Sequence, residues 1–155
     1  MKLRHYSESG NWYFVTTTLR NPYNIFIDES LANLALNVLH ARLMKGGFQL
    51  DEFVLMPDHF HIIVIPLSLE LAQIIGELKR SITRLVNASS GVGQRSIWLG
   101  GYYDVQIGSE KELFTKRQYV WHNPVRAGLV KNPEDYAFSS ANTEVRKRFG
   151  LATLE

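Results

Sequence analysis

The chain has 155 residues, 45% of them hydrophobic, with three Trp, seven Tyr and eight Phe, a composition that suits one globular domain, residues 1–155, with a real core. It has no cysteine, so disulfides and thiolate metal sites are excluded, and its longest apolar run, Ile62 to Leu67, is far too short to span a bilayer. The formal charge of +2 divides unevenly: residues 1–75 hold five Lys/Arg against seven Asp/Glu (−2), and residues 76–155 hold twelve against eight (+4).

The positive excess gathers at Lys79, Arg80 and Arg84, around Arg95, at Lys116 and Arg117, and at Arg146, Lys147 and Arg148. Clustered cations point only weakly to phosphates, and from charge alone solvated helix faces are the favoured reading. The opening "MKLRHYSESG" has no apolar core behind its charges, so no secretory signal is expected and a soluble cytoplasmic protein is the default.

In chain order, "NWYFVTTTLR" (11–20) is rich in aromatic and β-branched residues and predicts a strand that Asn21-Pro22 ends. "DESLANLALNVLHARLMKGG" predicts a helix, with Leu31, Leu34, Ala35, Val38, Leu39 and Leu43 at helical spacing and Gly46-Gly47 as its stop. "FQLDEFVLM" predicts a second strand, Met56-Pro57-Asp58 a tight turn, and His59 to Ile65 the returning strand of a hairpin. A second helix follows in "LELAQIIGELKRSITRLVNA", with Leu71, Ile74, Ile75, Leu78, Ile82 and Leu85 on its apolar stripe, then a loop at "SSGVGQRS". "YYDVQI" (102–107) predicts the fourth strand. Ser109 and Glu112 have the spacing of a capping box, opening a third helix expected to stop near Asn123 because Pro124 follows. The order β-α-β-β-α-β plus a C-terminal helix predicts an α+β, ferredoxin-like antiparallel sheet with helices on one face.

Side chains alternate along a strand, so His59 and His61 share a face while Phe60 points away. Two imidazoles at a sheet end suit an open metal site once a third donor joins them, but an isolated His-x-His is more often structural. Asp58 is a candidate for that donor, but its first reading is as a turn residue. On the third helix Tyr119 and Asn123 are four apart and share a face, with Lys116 and Arg117 nearby to favour a phenolate or hold a phosphate. Against this, Tyr119 fits a core aromatic, Asn123 a pre-proline cap, Trp121 packing and His122 the helix C-terminal dipole. His5 and His40 read as surface residues.

"MPDHFHIIV", then "QYVWHNPVRAGLV", then "PEDYAFSS" resemble the REP-associated tyrosine transposases, within the single-tyrosine HUH superfamily of IS200-like transposases. Phe60 is the large hydrophobic residue between the paired histidines. The resemblance runs from "WYFVTTTLRN" through "IWLGGYYDVQI" to "YAFSS", and it implies the fold expected above. It also implies that His59 and His61 bind a divalent metal, Mg2+ or Mn2+, with Asn123 as a third polar ligand, and that Tyr119 is the nucleophile. The implied activity is metal-dependent cleavage and strand transfer on hairpin-forming, REP-like single-stranded DNA through a 5′-phosphotyrosine intermediate. Lys79, Arg80, Arg84, Lys116, Arg117 and Arg126 are the expected DNA contacts, and a nucleoid-associated location follows. Family members often carry Gln and Arg where this chain has Leu99 and Gly108, which bears on DNA recognition. Two other readings are a hairpin-binding protein without catalysis and a phosphodiester hydrolase that uses water. Monomer and homodimer are both open.

Overall fold

The computed structural model describes residues 10–20, 24–90 and 96–154. The expectations placed on His5, Asn21-Pro22 and Arg95 lie outside the described residues. The elements are β1 (Trp12–Thr18), α1 (Glu29–Lys45), β2 (Phe48–Leu55), β3 (His59–Pro66), α2 (Leu71–Ser90), β4 (Tyr103–Ile107), α3 (Glu110–Arg126) and α4 (Thr143–Arg148), with short 3-10 turns at 25–27 and 133–135. The four strands form one antiparallel sheet in the order β2-β3-β1-β4, the ferredoxin-like arrangement.

Local chemistry accounts for the boundaries. Asp28 caps α1 by accepting from the Ser30 and Leu31 backbone N–H groups, and Gly46 and Gly47, both at positive φ, release the chain into β2. At Gly47 a Cβ would come within 2.6 Å of Leu69 Cγ, so glycine is needed there for space as well as conformation. The Met56-Pro57-Asp58 turn is closed by the Met56 N–H donating to the His59 carbonyl at 2.8 Å.

Strand alternation sorts the core into two layers. Phe60, Ile62 and Val64 of β3, with Tyr13 and Val15 of β1, face the buried stripes of α1 and α2. Ile63, Phe14, Val54, Met56 and Ile107 face the other way and pack on Leu113 and Val120 of α3. Thus α1 and α2 cover one face of the sheet, and α3 covers the opposite one.

Three features depart from the sequence reading. Helix α3 does not stop at Asn123: it continues through Pro124 to Arg126, and Ala127 is its cap. A proline inside a helix loses one hydrogen bond and crowds the carbonyl four residues back. Here the loss falls in the final turn, Pro124 is itself buried, and the N–H groups of Ala127 and Leu129 close onto the carbonyls of Asn123 and Pro124 at 3.0 and 2.9 Å. On α2, Val86 occupies the buried stripe where Leu85 was expected, and Leu85 is exposed. Finally, His40 is only half exposed, with its ring edge-on to Phe149, ring centroids 5.4 Å apart.

The tail after α3 returns to the sheet. Residues 138–140 run along β2, with Leu55 N–H donating to the Phe138 carbonyl and Ser140 N–H to the Phe53 carbonyl, both at 2.9 Å. This covers the β2 edge and leaves β4 as the other edge strand.

Candidate active site

The two histidines reach the α3 face because β3 alternates. Thr16 of β1 lies opposite His61 and Thr18 opposite His59. His61 is 5% exposed; its ring stacks on Phe14 (centroids 5.3 Å, interplanar angle 25°), and Nδ1 lies 2.8 Å from Thr16 Oγ1. The His59 ring stands edge-on to it at 4.6 Å, with its own Nδ1 2.7 Å from the Asp58 carboxylate. Asp58 therefore serves His59 from the turn. In the tautomers that donate from Nδ1, both imidazoles keep an Nε2 lone pair for a metal, the arrangement in which outer partners orient ligating histidines.

Helix α3 brings the phenol. Ser109 Oγ accepts from Glu112 N–H at 3.1 Å, and the Glu112 carboxylate accepts from Gly108 N–H at 2.8 Å, so the predicted cap forms with its return bond one residue earlier than in a capping box. Leu113 and Val120 seat the helix on the sheet. Lys116, Tyr119, Asn123 and Arg126 then follow at three- and four-residue steps along one ridge. The Tyr119 ring meets His61 edge-on at 5.3 Å and Phe14 at 5.9 Å, while the residue remains 42% exposed. Asn123 is buried one turn further on.

Two cations frame the phenol. Lys116 Nζ lies 4.7 Å from the Phe14 ring centroid, and Arg126 Cζ lies 4.5 Å from that of Tyr119. Arg126 also donates from Nη2 to the Tyr119 carbonyl at 2.8 Å. Burial first, then the charges of His59, Arg126 and Lys116, pull the His61 pKa down to about 3. The imidazole is therefore neutral near pH 7, the form that ligates metals. Among the described residues no group of three or more His, Cys, Asp or Glu side chains stands together. Two imidazoles leave most of a cation's coordination open, which fits an ion whose coordination a phosphate completes.

The structure gathers His59, His61, Tyr119, Lys116 and Arg126, with Asn123 buried one helical turn beyond Tyr119, but not the other expected cations. Arg117 turns to β2 and pairs with Asp51 through two bonds of 2.8 and 2.5 Å, which raise its pKa. Lys79 donates to the Leu99 and Gly101 carbonyls at 3.2 and 2.6 Å. Arg80 and Arg84 are exposed on α2, on the far side of the sheet. Arg146, one of the apparent surface cations, is buried: its Nη1 donates to Glu52 Oε2 at 2.8 Å. The same Glu52 oxygen accepts from Trp121 Nε1 and Ser140 Oγ at 2.8 and 2.5 Å, so Trp121 does more than pack. His122 is exposed, its Nδ1 2.9 Å from the Gln118 carbonyl.

Phe14 and Thr16 are neighbours of the candidate site that the sequence did not reveal. Their only signal is the β1 alternation, which places them on one face once pairing with β3 is known.

Comparison with known proteins gives a consistent result. The family profile described as transposase IS200-like matches residues 9–123. A REP-associated tyrosine transposase of Escherichia coli (strain K12) is 25% identical over 146 residues, covering 93% of this chain and 84% of that protein. The solved structure of a REP-associated tyrosine transposase bound to a REP hairpin superposes with a TM-score of 0.74 at 22% identity, covering 99% of this chain and 88% of that one.

Proposed function

Since the chain belongs to the IS200-like transposase family, we propose that it cleaves and rejoins single-stranded DNA beside a hairpin, with Tyr119 as the nucleophile. The observation that carries this reading is the Tyr119 ring set 5.3 Å from the buried His61 on a separate element. Tyr119 Oη attacks the scissile phosphorus: its O–P bond forms as the P–O3′ bond breaks. The phenolic proton leaves to solvent, and the departing 3′ oxygen takes one up. The 5′ phosphate remains on the protein, and a second 3′ hydroxyl can displace the tyrosine by the reverse exchange. One phosphodiester replaces another, so no ATP is needed.

Lys116 and Arg126 would hold the phosphate oxygens against the phenol, since both lie at the ring cluster without a carboxylate partner among the described residues. His59 and His61 would hold a divalent cation through Nε2, with Asn123 as a neutral oxygen donor. Imidazole donors suit Mn2+ better than Mg2+. When bound, that cation offsets negative charge on the phosphate. The hairpin enters as substrate by extension from the solved relative, which is bound to one.

The test is to incubate hairpin oligonucleotides bearing single-stranded flanks with protein and Mn2+, then resolve the products under denaturing conditions. A covalent protein–DNA species is expected, absent in Tyr119→Phe. Continued turnover by Tyr119→Phe, with loss in His61→Ala, would instead point to water as the nucleophile.

A further inference from the structure

The β4 edge carries a side chain that the cleavage chemistry leaves unused. Strand register places Val54, His61, Thr16 and Tyr103 in one row across β2, β3, β1 and β4. Directly paired residues project to the same face, and the 2.8 Å contact between Thr16 Oγ1 and His61 Nδ1 identifies it as the face of the site. Ile107, four residues along β4 from Tyr103, agrees, because it packs in the layer beneath α3. Tyr103 therefore lies two strand spacings from His61, about 10 Å. It is 63% exposed, on an edge strand.

The chain leading into Tyr103 is also open. The Leu99 N–H donates to the Thr18 carbonyl at 2.8 Å, which brings this segment to the end of β1 beside His59. At Gly100 and Gly101 a Cβ would meet nothing within 4 Å. Beneath them the Lys79 ammonium is held by the carbonyls of Leu99 and Gly101, with no carboxylate partner among the described residues, and burial lowers its pKa.

We propose that Tyr103 is a base-stacking platform for the single strand that leads away from the scissile phosphate, with the Gly100-Gly101 segment leaving room for the sugar–phosphate backbone. The inference rests on the cleavage reading above. Single-stranded DNA is the occupant because the platform is continuous with the site, whose cations Lys116 and Arg126 complement phosphate. A phenol ring also accepts any base on its face. The distance of about 10 Å is the span of about three stacked nucleotides at 3.4 Å each, and of fewer when the strand is drawn out.

The experiment measures binding in chelator by fluorescence anisotropy, using a labelled hairpin with oligothymidine flanks and the same hairpin with blunt ends. Tyr103→Ala should weaken binding of the flanked hairpin by about 5- to 150-fold and leave the blunt one unchanged. Tyr103→Phe should keep wild-type affinity, since the ring rather than the hydroxyl stacks. Unchanged affinity of Tyr103→Ala for the flanked hairpin, or an equal loss on the blunt one, overturns the platform and leaves the cleavage reading standing. A changed sedimentation coefficient with unchanged DNA affinity also overturns it, in favour of a second copy pairing along β4. If wild-type protein binds neither hairpin, the cleavage reading falls together with the platform.

Discussion

At the scale of single residues, His61 meets Thr16 Oγ1 through Nδ1, and under the proposed function its Nε2 would take the metal. Burial and three neighbouring positive charges depress its pKa to about 3 from an ordinary value of 6.5. The unfolded chain therefore takes up this proton at a higher pH than the folded one. The stability tied to a neutral His61 is complete above pH 6.5 and is lost as pH falls from there toward 3, by up to about 1.4 kcal/mol per pH unit. In chelator, the urea midpoint of wild-type protein should drop between pH 7 and pH 5 relative to that of His61→Phe. Parallel behaviour of the two would show that His61 does not titrate abnormally. His59, His61 and Tyr119 were legible in the sequence because each belongs to a short pattern. Thr16 was not, because it meets His61 from a position 45 residues away.

At the scale of elements, helix α3 is held on both flanks. Its inner stripe packs on the sheet, and Trp121 hydrogen-bonds Glu52 of β2, which also binds Arg146 of α4 and Ser140. Arg146→Ala would leave the Glu52 carboxylate buried without its cation, at a cost of about 3–5 kcal/mol. Denaturant titration should show that loss, and a change under about 1 kcal/mol, the scale of an exposed pair, would contradict the buried-pair account. Ser109→Ala removes the cap at the other end of α3 and should cost about 1 kcal/mol. Strand and helix positions followed from periodicity, and the ferredoxin-like order followed from them. The placement of α3 opposite α1 and α2 was not written in any local pattern. It depends on which strand face the helix stripe meets, a matter of tertiary packing. The continuation of α3 past Asn123 was likewise hidden, because burial of Pro124 offsets a local preference.

At the scale of the whole molecule, cation clusters misled where their partners were distant in sequence. Arg117 and Arg146 are bound to carboxylates 66 and 94 residues away, whereas Lys116 and Arg126 stand at the site. The electrostatic footprint on DNA should therefore centre on α3 and the 99–101 segment. Replacing Lys116 or Arg126 by Ala should each lower the slope of log affinity against log salt by about one. Arg84→Ala, on the far side of the sheet, should leave the slope unchanged, and an equal drop there would move the DNA path to α2. No helix among the described residues is long and apolar enough to cross a membrane. The measurement that bears most directly on the central claim is peptide mapping of the protein after reaction with a flanked hairpin and Mn2+. Cleavage after Arg117 and Arg126 releases the peptide 118–126, which contains one tyrosine. The account predicts a nucleotide mass on Tyr119 of that peptide. A nucleotide on any other residue, or cleaved DNA with no modified peptide, would contradict it.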